Sequence, residues 1–188
     1  MNQREIQKEN TRIKIADAAW QLFAEKGFEK VTIQDIAASA EVSVGLVYYH
    51  FGSKDGLMER SLLKFNEVLE QNTHFDDSAS AAENIQILIH SYIHEIETAG
   101  SRIIRALYKS QFSGIHNYAV DDTSFLYRSM MYYASAVYAS EASASEAVRF
   151  AITSLRGLIY FWCCEDGKFD LEKRGQTFAD IITGKYNI

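Results

Sequence analysis

No proline occurs anywhere in the 188 residues. Proline ends or kinks a helix because it lacks an N–H and clashes with the carbonyl four residues back. A chain without it can run from helix to helix, with glycine and short polar turns as its only punctuation. Alanine, leucine, isoleucine and glutamate are plentiful, and most of these are good helix formers. The expected fold is therefore all-α. Hydrophobic residues make up 47% and charged residues 23%, which suits a chain that buries a core.

Several classes are set aside early. The first fourteen residues carry Arg4, Glu5, Lys8, Glu9, Arg12 and Lys14 and no apolar core, so no secretory signal is expected. The longest uninterrupted apolar run, GLIYFWCC at 157–164, is much shorter than the roughly 20 residues of a membrane span. The two cysteines, Cys163 and Cys164, are adjacent, which suits a reducing cytoplasm and inert packing better than a disulfide framework or a redox sensor. No metal-ligand spacing, cofactor motif or catalytic constellation is evident, so neither an enzyme, a cofactor nor a membrane partner is expected. The net charge is −6, but residues 1–56 hold seven Lys/Arg against eight Asp/Glu, so the acidity lies mostly in the C-terminal part.

Apolar spacing predicts helices at 11–26, 32–40, 43–51, 53–71, 82–98, 102–112, 121–140, 143–165 and 170–184. Thr32 is the expected N-cap of the second helix, accepting from the backbone of Asp35, with Ile33, Ile36, Ala37 and Ala40 facing inward. Ala40-Glu41-Val42 breaks the chain, and Ser43 caps the third helix. Two short helices joined by so tight a turn have the spacing of a helix-turn-helix. Residues 72–81 lose periodicity and read as a loop, and Gly100, Gly114 and Gly167 punctuate the remainder. The expected organisation is a three-helix head at 1–52 and a larger helical bundle at 53–188 for ligand binding and dimerisation, with the helix from 53 connecting the two.

On a helix capped by Ser43, Val47 and Phe51 share the inner face. Val44, Gly45, Tyr48 and Tyr49 lie opposite. Such a face suits close approach to a polar partner, and a helix this short fits a DNA major groove. Tyrosine hydroxyls can donate to phosphates, Leu46 and the rings can touch thymine methyls, and His50 can bond a base edge or a phosphate. Lys54 can reach a phosphate, and the N–H groups at Thr32 and Ser53 offer anion sites.

The stretch TIQDIAASAEVSVGLVYYHFGSKDGL resembles the DNA-binding signature of the TetR family of bacterial transcriptional regulators. The resemblance covers about residues 10–63 and includes Phe28 after Gly27, Thr32, Ile36-Ala37, Val42-Ser43, Gly45, Tyr48, Phe51 and Lys54. It implies that Thr32, Tyr48 and Lys54 hold phosphates. It places Ser43, Val44, Gly45, Leu46 and Tyr49 nearest the base edges, with His50 at the rim. Two departures stand out. Many members have glycine where this chain has Glu41, so a left-handed residue there would cost about 1 kcal/mol. Many have Lys or Arg where this chain has Val44. Arg4, Lys8, Arg12 and Lys14, ahead of the first helix, are expected to compensate.

In 143–165 the apolar stripe includes Ala151, Leu155, Leu158, Ile159 and Trp162, and the last helix adds Phe178, Ile181 and Ile182. A helix apolar on nearly all sides needs partners on nearly all sides; these eight are the residues that the resemblance marks for dimerisation, the alternative being a buried core helix of a monomer. The resemblance implies that the last two helices pair with their twins. Among the many aromatics of the bundle, Tyr92, Tyr108, Phe112, Tyr127 and Trp162 are the candidate ligand contacts. Arg102, Arg105 and Lys109 read as a solvated helix face, and the resemblance implies that this helix lies near the head. The reading is a cytoplasmic homodimer that binds double-stranded DNA at a palindromic operator, a repressor released by a small apolar or aromatic effector. The alternative is a helical ligand-binding or scaffold protein whose head docks on another protein, supported by the neutral charge of residues 1–56.

Overall fold

The structure, a computed structural model, describes residues 2–112 and 122–185, the side chains of 110–112 excepted. The described residues form nine α-helices and a 3-10 turn, with no strand. The all-α expectation holds.

Helix α1 (Gln3–Lys26) opens with a capping box: Asn2 accepts from the Arg4 N–H at 3.0 Å, and the Glu5 carboxylate accepts from the Asn2 N–H at 2.8 Å. It therefore starts eight residues before the expected position. Its first turns are polar and charged and carry no apolar stripe, so periodicity alone misses them. Arg4, Lys8, Arg12 and Lys14 are consequently helical residues rather than a preceding arm. Ile15, Ala19 and Phe23 are buried, and Gly27, at φ +81°, ends the helix. A 3-10 turn (Phe28–Lys30), α2 (Ile33–Ser39), α3 (Val44–Phe51) and α4 (Lys54–Asn72) follow. Ile33, Ile36, Ala37 and Ala40 are all buried, as the spacing predicts.

The chain forms two compact units. The first takes residues up to Lys64 and α6 (Ser101–Phe112) from Arg102; the second takes 65–101 and the C-terminal part, so α4 contributes to both. In the first unit α6 is tied to the end of α1. Arg102 donates to the Glu25 carbonyl at 2.9 Å, and Lys109 pairs with Glu29.

The second unit packs α5 (Ala81–Ala99), α7 (Phe125–Ser135), α8 (Glu141–Cys164) and α9 (Leu171–Ile182) around Leu88, Leu126, Met130, Val148 and Ile152. The 73–80 segment is a loop as expected. Buried Asn84 anchors it through two hydrogen bonds of 2.9 Å with the backbone of Asp76. Helix α7 is shorter than the expected 121–140. Ser124 caps its start, and after Ala136 the turn Val137-Tyr138-Ala139 leads to Ser140, which caps α8; serine side chains favour such caps over helix interiors. Gly114, His116 and Tyr118 lie outside the described residues. α9 presses closely on α5: a Cβ at Gly175 would stand 2.9 Å from Cγ1 of Ile93.

By length and composition α8 is apolar enough to cross a membrane, which counting uninterrupted apolar residues did not reveal. Here one side of it is instead buried against α7 and α9, and Arg149 is exposed.

Candidate nucleic-acid interface

The geometry of the α2–α3 pair follows from its caps. Thr32 accepts from the Asp35 N–H at 3.1 Å, and the Asp35 carboxylate accepts from the Thr32 N–H at 2.9 Å and its hydroxyl at 2.6 Å. These bonds hold the Asp35 carboxyl below its ordinary range. The Thr32 N–H, expected to be a free anion donor, is thus already engaged, and so is that of Ser53, which donates to the Phe51 carbonyl at 2.7 Å. Each helix start satisfies its own N–H first.

Between the helices Glu41 stands at φ +51°, the left-handed conformation in which a side chain costs about 1 kcal/mol. The expectation for this turn is therefore met, with no change of geometry to relieve it. Lys14 holds the Glu41 carboxylate at 2.9 Å, and their contact keeps that carboxyl below its usual range. Ser43 then caps α3 by accepting from the Leu46 N–H at 3.2 Å.

Val47 locks α3 inward. Phe51 is half-buried, while Tyr48 is 49% and Tyr49 68% exposed. Gly45 is exposed, and a Cβ there would meet nothing within 4 Å among the described residues. Nothing inside the chain requires a glycine at this position, which would otherwise weaken a helix. Val44, Leu46 and His50 are half-buried. At eight residues α3 is about 12 Å long.

Lys54 is more committed than expected. Its ammonium donates to the carbonyls of Phe28 at 2.9 Å and Val31 at 3.1 Å, and sits 4.3 Å from the Phe28 ring centre. It buttresses the 3-10 turn, leaving one of its three N–H donors for a phosphate. His50 is pushed below its ordinary pKa, first by burial and then by the cations Lys8 and Arg12, with Glu9 opposing. Its imidazolium form is therefore disfavoured.

Sequence reasoning missed how α1 meets α3. Lys8 lies 5.3 Å from the centre of the Tyr49 ring, and Arg12 5.9 Å from that of Phe51. The signal was present: Arg4, Lys8 and Arg12 recur every fourth residue, one face of a helix, once the helix is known to start at Gln3.

The second unit bears on two sets of expected residues. Ala151, Leu155, Ile159 and Trp162 are buried within this chain and have no surface left for a partner. Of the eight expected dimerisation residues, Leu158, Phe178, Ile181 and Ile182 keep exposed area. On α8 and α9 the large apolar groups facing water include Phe150 at 71% and Phe161 at 63% exposed, which were not expected, and Ile181 at 56%, which was. Of the five candidate ligand contacts, Tyr92 and Tyr127 meet at one core cluster. Tyr108 belongs to the first unit, and the Phe112 side chain lies outside the described residues. Tyr127 is a core residue, and Tyr92 packs edge-on against Phe65 with ring centres 5.8 Å apart. Trp162 is buried, with its indole N–H unpartnered among the described residues. Three clefts open on this unit among the described residues. One of about 630 Å³ is lined by His74, His90, His94, Glu95 and Glu172 among others. A second, of about 390 Å³, is lined by Glu70, Phe75, Phe125 and Arg128 among others. A third, of about 290 Å³, is apolar and lies between Ile85, Met130, Val148 and Ile182. No group of three His, Cys, Asp or Glu able to hold a metal ion occurs among the described residues.

Comparison with known proteins bears on the same region. Residues 15–60 match the model of the family described as bacterial regulatory proteins, tetR family. The transcriptional regulator UidR of Escherichia coli K12 is 34% identical over 98 residues, covering 48% of each chain, so the match spans about half the length of that relative. The IcaR negative regulator of the Staphylococcus aureus biofilm operon is 45% identical over 49 residues, 26% of each chain. In three dimensions, Thermus thermophilus FadR, a TetR-family repressor solved with lauroyl-CoA, superposes with a TM-score of 0.69 over 94% of this chain and 95% of that one. At 15% identity this last likeness concerns the fold alone.

Proposed function

The chain belongs, through residues 15–60, to the tetR family of bacterial regulatory proteins, a family of regulators and not of enzymes, and from that premise we propose that it is a cytoplasmic, ligand-responsive repressor. It binds a palindromic operator as a homodimer. The observation that carries the reading is α3, anchored inward by Val47 while Gly45, Tyr48 and Tyr49 face solvent. Ser43, Val44, Gly45, Leu46 and Tyr49 meet base edges, Tyr48 a phosphate, and His50 the rim. Thr32 and Lys54, held by internal bonds, act mainly by fixing α2 and the 3-10 turn against the backbone of the DNA.

Self-association uses the exposed side of α8. Phe150, Ser154, Gly157 and Phe161 recur at helical spacing, and a Cβ at Gly157 would meet nothing within 4 Å among the described residues. Two aromatics flanking small residues suit close packing of α8 against its twin, with Ile181 of α9 alongside. A two-fold dimer presents two recognition helices to grooves about 34–36 Å apart.

Repression is favoured by IcaR, a negative regulator. An apolar effector is favoured by FadR, bound to lauroyl-CoA. Because α6 is tied to α1 through Arg102 and Lys109, an effector that prefers one placement of α6 biases the recognition helices.

The test is selection of bound sites from randomised duplex DNA by the full chain, repeated with Tyr48→Ala after circular dichroism confirms folding. An inverted repeat recovered by the wild type and lost in the variant is the expected outcome. No enrichment even at low salt would overturn the reading and bring forward a head that docks on protein.

A further inference from the structure

A head that binds DNA needs cations, and α3 carries no lysine, arginine or carboxylate from Val44 to Phe51. Several cations of the first unit are engaged elsewhere: Lys14 with Glu41, Lys64 with Asp17, Lys109 with Glu29, and Lys54 with two carbonyls. The same pairings neutralise the acids that make the head's overall charge so unpromising. What stands beside α3 is the basic face of α1.

Three observations converge there. Lys8 lies over the exposed Tyr49 ring at 5.3 Å, and Arg12 over Phe51 at 5.9 Å. The Arg12 Nε is buried with no hydrogen-bond partner among the described residues, and its carboxylate neighbour Glu9 is 3.8 Å away, a loose contact. His50, whose ring meets Tyr49 edge-on at 5.2 Å, feels Lys8, Arg12 and Glu9. An aromatic shelf that holds two long cations removes much of the side-chain entropy a phosphate contact otherwise costs. The Arg12 guanidinium, only loosely held by Glu9, offers its terminal N–H groups as charge-assisted donors to an anion.

We propose that Lys8 and Arg12, seated on the rings of α3 and joined by His50, form a phosphate-binding site of the head, so that α1 supplies the backbone grip that the recognition helix lacks. The inference rests on the DNA-binding reading above. The site reads no sequence; it adds affinity to any duplex that α3 approaches. A phosphate beside His50 favours the imidazolium, so binding takes up a proton and affinity rises as the pH falls from 8 towards 6. Lys8, Arg12 and Glu9 of α1 are the charged groups facing that ring.

The experiment uses the full chain with Lys8→Met and Arg12→Met, which keep an apolar stem on each ring. Fluorescence anisotropy follows binding to the operator recovered by selection and to a scrambled duplex, across a range of KCl. Each variant is expected to weaken both duplexes by a similar factor and to lower the slope of log affinity against log salt by about 1. The melting temperature should barely move. His50→Gln is expected to flatten the rise in affinity between pH 8 and 6. An unchanged salt slope in both methionine variants, with Tyr48→Ala still abolishing binding, would overturn this site while leaving the DNA reading intact. Absence of binding by the wild type to any duplex would overturn both.

Discussion

The first compact unit and the second use helices in opposite ways. In the first, each short helix has one inner face and a named cap, and what is left over faces water: Tyr48, Tyr49 and Gly45 on α3. In the second, α8 buries Ala151, Ile152, Leu155 and Ile159 and still holds Phe150 and Phe161 in water. Its apolar excess is too large for one partner. A polar-faced helix shows its working side by contrast, whereas a helix apolar all round hides which side its own chain will cover.

The sharpest way to break that contrast is to charge the exposed side of α8. Phe150→Glu with Phe161→Glu is expected to leave the fold intact and convert dimer to monomer in sedimentation equilibrium. Buried interface aromatics are worth about 2–4 kcal/mol each, and two-fold symmetry counts every substitution twice. Dimers that persist in the double variant would place the interface elsewhere. Next in size is the close approach of α9 to α5. Gly175→Ala drives a Cβ against Ile93 and is expected to destabilise by about 1–3 kcal/mol in urea unfolding. Because the clash lies within the second unit, the fluorescence of Trp162 should report it, while Trp20 in α1 should not.

The smallest effect is one of sign. His50 in the first unit has its pKa lowered by burial and then by Lys8 and Arg12. The unfolded chain then binds more protons, so its contribution to stability is lost as the pH falls below about 6.5. His94 in the second unit is raised, first by its 2.9 Å hydrogen bond to Glu172 and despite some burial. Its contribution is full below about 6.5 and is lost as the pH climbs through the folded value. Between pH 8 and 5.5 the Trp20 and Trp162 transitions, read in Trp162→Phe and Trp20→Phe variants, are expected to move in opposite directions. Both groups are solvent-accessible, so the shifts are small. Glu172→Gln should remove the second alone.

Helix existence was legible almost throughout, because caps such as Thr32 and Ser43 and stops such as Gly27 and Gly100 act locally. Positions that depend on distant chain were not. Nothing local to Lys8 announces the ring of Tyr49, forty-one residues on, and nothing local to Lys54 announces the carbonyls of Phe28 and Val31. The early start of α1 was visible as Asn2-x-x-Glu5 but silent in apolar spacing. The apolar stripe of α8 with Ala151, Leu155 and Ile159 was legible, but not that this chain's own helices cover it, since these residues are no more apolar than Phe150 and Phe161. Only packing against α7 and α9 separates them.

Gly45 has open space around it, and its neighbours on the outer face of α3 take little part in the core. Val47, two residues on and on the opposite side, carries the folding role. Mutations on the outer face can therefore accumulate without having to pass through an unfolded intermediate genotype. A lineage descended from this chain can change its preferred target while inheriting its architecture unaltered, and a designer can randomise those positions on the same terms.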